Sequence, residues 1–109
     1  MMELRIMRML VLFDLPTGSK SERKSYSRFR GFLVNDGYRM EQYSVYSRIL
    51  LSRDNVDTHL ARLKANLPEA GKVTVLLLTE KQYQNRMVLV DTGGRQKRNN
   101  MGAQLTLVF

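Results

Sequence analysis

Cysteine is absent from the 109 residues, and histidine occurs once, at His59. Without cysteine there are no disulfides and no thiolate zinc sites, which fits a reducing compartment. Acids are scarce, with 10 Asp and Glu set against 18 Lys and Arg for a formal net charge of +8. An excess of one sign favours capture of a polyanion, and nucleic acid is the first candidate. No apolar run is long enough to span a bilayer and no basic amphipathic anchor is present, so no membrane partner is expected. The first ten residues include Glu3 and Arg5 and lack a clean apolar core, which argues against a secretory signal and for a cytoplasmic location. No internal repeat, low-complexity tract or linker divides the chain, so one domain is expected over 1–109.

What is present is patterned. Met9 to Phe13 is apolar at every position and predicts a strand buried on both faces, closed by a single carboxylate, Asp14. Pro16 and Gly18 mark a turn. Ser19 and Glu22 have the spacing of a capping box, and the helix they start places Tyr26, Phe29, Phe32 and Leu33 on one side. Lys20, Arg23, Lys24 and Arg28 fall largely on the other, with Arg30 near the boundary. Asn35-Asp36-Gly37 closes the helix. Tyr38 to Leu51 is too long for one ordinary strand and predicts either a bend or a tight hairpin around Tyr43 to Tyr46, at a place the sequence does not fix. Asp54 is the expected cap of a second helix with a buried stripe of Val56, Leu60, Leu63 and Leu67, ended by Pro68 to Gly71.

Lys72 to Thr79 reads as a second strand apolar on both sides, followed by a short helical turn at Glu80 to Asn85 and a strand at Met87 to Val90. A basic loop and a final apolar strand occupy 92–109. The order βαββαβ predicts an α+β, ferredoxin-like sandwich with both helices on one face of a mixed sheet and extra C-terminal strands. Two helices cover one face only, so a homodimer packed sheet to sheet is expected to hide the other. The final strand either pairs within its own chain or crosses to the partner subunit.

Asp14 ends a strand where a loop begins, which combines a fixed position with access. A carboxylate there can hold magnesium, an ion that takes oxygen ligands, keeps several waters and activates water against a phosphodiester. One aspartate is a poor site; two copies across a two-fold axis make a better one. The competing reading is an Asx turn, in which Asp14 only accepts hydrogen bonds from the loop backbone. Five cations share Lys20 to Arg30 with the sole acid Glu22, a footprint suited to phosphate contact without base reading. Arg95, Lys97 and Arg98 form a second basic run, open to phosphate contact, partner docking or a plain linker role. Tyr38, Tyr43 and Tyr46 have rings able to stack on bases, but strand aromatics are commonly core, and core is the expectation. Ser44 is read as a turn residue and His59 as packing at the helix surface.

Taken together, "RMLVLFDLPT", "ER..Y.RFR.FL...GY", "QYSVYSRIL" and "LKANLPEAGKVTVLLLTEKQY" resemble the small CRISPR-associated protein family Cas-two, especially the type II form, over Met7 to Tyr83. The resemblance implies a ferredoxin-like homodimer whose C-terminal strand docks on the other subunit. It also implies a metal-dependent endonuclease acting on RNA or double-stranded DNA, with Asp14 as ligand of Mg2+ or Mn2+. It implies, further, a role in spacer acquisition, where the dimer bridges two dimers of the CRISPR integrase along a captured duplex. In that assembly the carboxylate is often dispensable. The chain departs from the family in carrying Phe13 where many relatives have tyrosine, in residues 1–7, which read as an extension, and in the region after Gln84.

Overall fold

The structure, a computed structural model, describes residues 6–92. Its elements run β1 (Met7–Asp14), α1 (Lys20–Asn35), β2 (Arg39–Gln42), β3 (Val45–Leu50), α2 (Arg53–Ala65), β4 (Lys72–Thr79) and the short α3 (Glu80–Gln84). The strands form one sheet in the order β2-β3-β1-β4, which with the βαββαβ succession is the ferredoxin-like arrangement. Every neighbouring pair is antiparallel, so the sheet is not mixed as the sequence suggested. Each β-α-β crossover skips one place in the sheet, and the intervening strand runs the other way.

Side chains alternate across a strand, and β1 uses that alternation to build two surfaces. Met9, Val11 and Phe13 point into a core with Phe29 and Leu33 of α1, Val56 and Leu63 of α2, and Tyr46 and Leu50 of β3. Phe13 meets Phe29 edge-on, with centroids 5.2 Å apart and planes at 88°. Truncating Phe29 or Leu33 to alanine removes about 2–5 kcal/mol, the cost of a large buried side chain and the cavity it leaves. The Tyr38 hydroxyl donates to the Met9 sulfur at 3.3 Å, which ties the chain after α1 to the middle of β1.

The first helix begins as its capping box requires: Glu22 N donates to Ser19 Oγ at 3.1 Å and Ser19 N to Glu22 Oε1 at 2.9 Å. It ends at Asp36, with Gly37 in the left-handed region at φ 93°. The hairpin also stands where expected, with Tyr43 and Ser44 between β2 and β3.

As expected, α1 and α2 cover one face of the sheet, and on the other Leu10 and Leu12 are half-buried and Leu76 is 47% exposed. Three expectations are corrected. The cap of α2 is Ser52, whose hydroxyl accepts from Asn55 N; Asp54 sits inside the first turn, where its charge favours the helix dipole. Leu67 lies beyond the end of α2 and is exposed, and the third buried place on that helix belongs to His59. Met87 to Val90 is not a strand: it pairs with no strand among the described residues, and Met87, Leu89 and Val90 stand exposed. The expected C-terminal strand, and Arg95, Lys97 and Arg98, lie outside the described residues.

On the open face, α3 covers one end only. Arg8 pairs with Glu80 at 2.7 Å and lies 3.9 Å from the centre of the Tyr83 ring. Arg86 also lies 3.9 Å from that centre, and the Tyr83 hydroxyl donates to Glu41 at 2.6 Å. The rest of the face, toward Asp14, stays bare. No helix among the described residues is long and apolar enough to cross a membrane.

Candidate nucleic-acid interface

Asp14 belongs to the open face. It is exposed, stands opposite Lys72 in the β1–β4 register, and among the described residues no ion pair or side-chain hydrogen bond engages its carboxylate. The strand end beneath it is held tightly. Gly71 has φ 100°, and a Cβ there would fall 2.6 Å from the Asp14 carbonyl oxygen and 2.7 Å from Leu15 Cδ2. Only glycine accepts both that conformation and that approach.

A shallow, largely apolar groove of about 400 Å³ runs beside the carboxylate, lined by Leu12, Val45, Thr74 and Leu76, with Asp14, Lys72, Tyr43 and Ser44 at its rim. Ser44 takes φ 62°, unusual for a side-chain-bearing residue. Its carbonyl receives Phe13 N at 3.0 Å, extending the β1–β3 ladder to the residue before Asp14. Its hydroxyl lies 3.2 Å from the Tyr26 hydroxyl. Hydrogen bonding with Tyr26 raises the Tyr43 phenol above its ordinary value.

The five cations of α1, Lys20, Arg23, Lys24, Arg28 and Arg30, are all exposed. Among the described residues none is joined to a carboxylate; Arg23 Nη1 instead donates to the carbonyls of Thr17 at 3.2 Å and Gly18 at 3.4 Å. The fold separates this charge from Asp14: α1 lies on the core side of the sheet, and Asp14 points to the opposite side.

The carboxylate's fit to a metal is limited in the same way. Magnesium is commonly held through one or two carboxylates with waters and substrate phosphates. Among the described residues no group of three or more His, Cys, Asp or Glu converges. Among the described residues Asp14 stands without a cluster of further ligands, so waters, substrate phosphates or a second chain would have to complete a Mg2+ or Mn2+ site there.

Two clusters escaped the sequence reading. Asp36 Oδ2 accepts from His59 Nδ1 at 2.9 Å and Asp36 Oδ1 from Arg62 at 2.8 Å, while Arg48 donates to the Asp36 carbonyl. Burial pushes the Asp36 carboxyl up, but the hydrogen bonds and charges of His59 and Arg62 outweigh it and hold the group below the usual carboxylate range. The other cluster joins Arg8, Tyr83, Glu41 and Ser47 under α3. Burial, then the hydrogen bond to Glu41, pushes the Tyr83 phenol up to about 12. Neither cluster has a local signal, since each unites residues from three or more elements.

A family model described as CRISPR associated protein Cas2 matches residues 7–86. The chain is 50% identical over 101 residues to the CRISPR-associated endoribonuclease Cas2 of Acidovorax ebreus (strain TPSY), spanning 93% of this chain and 99% of that protein. It is 46% identical over 103 residues to the protein of the same name from Streptococcus mutans serotype c (strain ATCC 700610 / UA159), spanning 94% and 92%. A solved structure described as a crystal structure of Cas2 superposes with a TM-score of 0.57 at 20% identity, over 83% of this chain and 94% of that one, a likeness of fold. A match across nearly the whole described region, with full-length relatives at this identity, leaves one conclusion: the chain belongs to the CRISPR associated protein Cas2 family.

Proposed function

We propose that this chain serves CRISPR spacer acquisition as a homodimeric scaffold that binds double-stranded DNA along α1 and bridges dimers of the integrase. The observation that carries this reading is the set of five exposed cations on α1, none of them paired to a carboxylate among the described residues. A solvated surface helix commonly interleaves both signs; a one-sign ridge is suited to phosphates. Dimerisation is supported by the bare end of the open face, where Leu10, Leu12 and Leu76 would otherwise meet water.

A second reading has its own support. The relatives are named endoribonucleases, and Asp14 is an unengaged acid on the rim of a groove. Two chains packed through their open faces would bring two Asp14 carboxylates together to hold Mg2+ or Mn2+, which when bound would polarise a phosphodiester of RNA or duplex DNA. Within the chain, Lys72 opposite Asp14 adds a positive charge suited to holding the phosphate.

The test compares the wild type, Asp14→Asn, and a triple reversal of Arg23, Arg28 and Arg30 to glutamate. Duplex binding and magnesium-dependent cleavage are measured on each. Asp14→Asn is expected to bind as the wild type does and to lose cleavage, and the triple variant to lose binding. Unchanged binding by the triple variant sinks the scaffold reading. Cleavage that survives Asp14→Asn sinks the nuclease reading.

A further inference from the structure

Three tyrosines of the β2–β3 region have different surroundings. Tyr38 and Tyr46 are each 2% exposed, as core residues should be, but Tyr43 at the hairpin tip is 75% exposed. A turn position of this kind suits a small polar residue, and leaving a phenol ring in water forgoes its burial energy.

The exposed ring is nonetheless held. It stacks on Tyr26 with centroids 6.0 Å apart and planes 19° from parallel. Tyr26 in turn packs against Phe13, 5.8 Å away, and its hydroxyl meets Ser44 Oγ at 3.2 Å. One face of Tyr43 is therefore backed by an aromatic column rooted in the core, and the high exposure leaves the other face to solvent. A ring already fixed in place loses little entropy when a flat partner stacks on it.

Its position supplies the partner's chemistry. Tyr26 lies three residues after Arg23 and four before Arg30, positions that neighbour it on the helix surface. On its other side Tyr43 lines the groove that Asp14 and Lys72 also line. A chain of phosphates that follows α1 and turns past the hairpin tip to Asp14 passes this ring. Cationic tracks with an aromatic platform beside them are how proteins hold single-stranded nucleic acid, because every base has a face to stack.

We propose that Tyr43 is a stacking platform for an unpaired nucleobase, positioning single-stranded DNA or RNA between the α1 cations and Asp14. This rests on the reading of the chain as a nucleic-acid-binding protein. Bases inside a duplex are already stacked, so the platform favours frayed or single-stranded segments.

The test uses a single-stranded DNA oligonucleotide carrying 2-aminopurine and a blunt duplex, with the full chain as wild type, Tyr43→Ala and Tyr43→Trp. Stacking predicts quenching of 2-aminopurine by the wild type. Tyr43→Ala should lose the quenching and bind the single strand roughly five- to a hundredfold more weakly, with duplex affinity unchanged. Tyr43→Trp should restore both. Equal single-strand affinity and quenching in Tyr43→Ala overturns the proposal, as does wild type that binds duplex but no single strand. Conversion of Tyr43→Ala from dimer to monomer in sedimentation would mean that the ring packs a second copy, and also overturns it. A wild type that binds neither nucleic acid defeats the underlying reading itself.

Discussion

His59 Nδ1 stands 2.9 Å from Asp36 Oδ2, joining the middle of α2 to the residue that ends α1. Both side chains are nearly buried, at 8% and 9% exposure, while Arg62, the second partner of Asp36, is 56% exposed. The pair fixes how the two helices sit on the sheet, and with them the direction of the cationic ridge.

Removing the carboxylate leaves a buried imidazole without its acceptor. Asp36→Ala should cost about 2–3 kcal/mol, in the range of a hydrogen bond to a charged group. Arg62→Ala should cost under about 1 kcal/mol, because its guanidinium is largely in water. Urea denaturation of both variants checks the order. Because the folded Asp36 carboxyl titrates below its unfolded value, its contribution is present above the unfolded pKa, about 4, and is lost as the pH falls through the folded one.

Gly71→Ala should destabilise the fold by more than about 1 kcal/mol, since the new Cβ meets the Asp14 carbonyl and the backbone conformation is strained. It should also disturb Asp14. Thermal unfolding reads the first effect and the amide chemical shift of Asp14 the second. An unchanged melting temperature would contradict the close approach.

Alkaline titration should find two phenols ionising near pH 12. Burial pushes Tyr38 up to about 12, helped by the Asp36 charge and opposed by Arg48, and Tyr83 is raised to about 12 by burial and Glu41. A phenol that keeps its proton longer in the folded state stabilises below about pH 10 and loses that contribution as the pH rises toward 12. Tyr38→Phe and Tyr83→Phe should each remove one late step from the ultraviolet absorbance titration.

If Arg28 contacts a backbone phosphate, Arg28→Ala should flatten the plot of log affinity against log salt for duplex DNA by about 0.9. A slope equal to that of the wild type would place Arg28 outside the interface.

Much of this architecture was written in local pattern. The apolar run before Asp14, the Ser19–Glu22 box, Gly37 and the hairpin before Val45 all act over a few residues, and each stands where its spacing put it. What the sequence hid is what distant elements decide. His59 takes its buried place because Asp36, on another helix, supplies a carboxylate. Tyr43 was expected in the core with Tyr38 and Tyr46, although the turn that exposes it was itself legible. The separation of Asp14 from the α1 cations follows from strand parity: Asp14 is one residue past the core-facing Phe13, and so faces away from the helices.

Were two copies of the chain to pair through their open faces as proposed, Leu12 and Leu76 would be covered and two Asp14 carboxylates would come together. Sedimentation equilibrium of the full chain at micromolar concentration tests this most directly. The expected result is a species of twice the 12.7 kDa chain mass, shifted toward single chains by Leu76→Glu. A mass of 12.7 kDa at every concentration would contradict it.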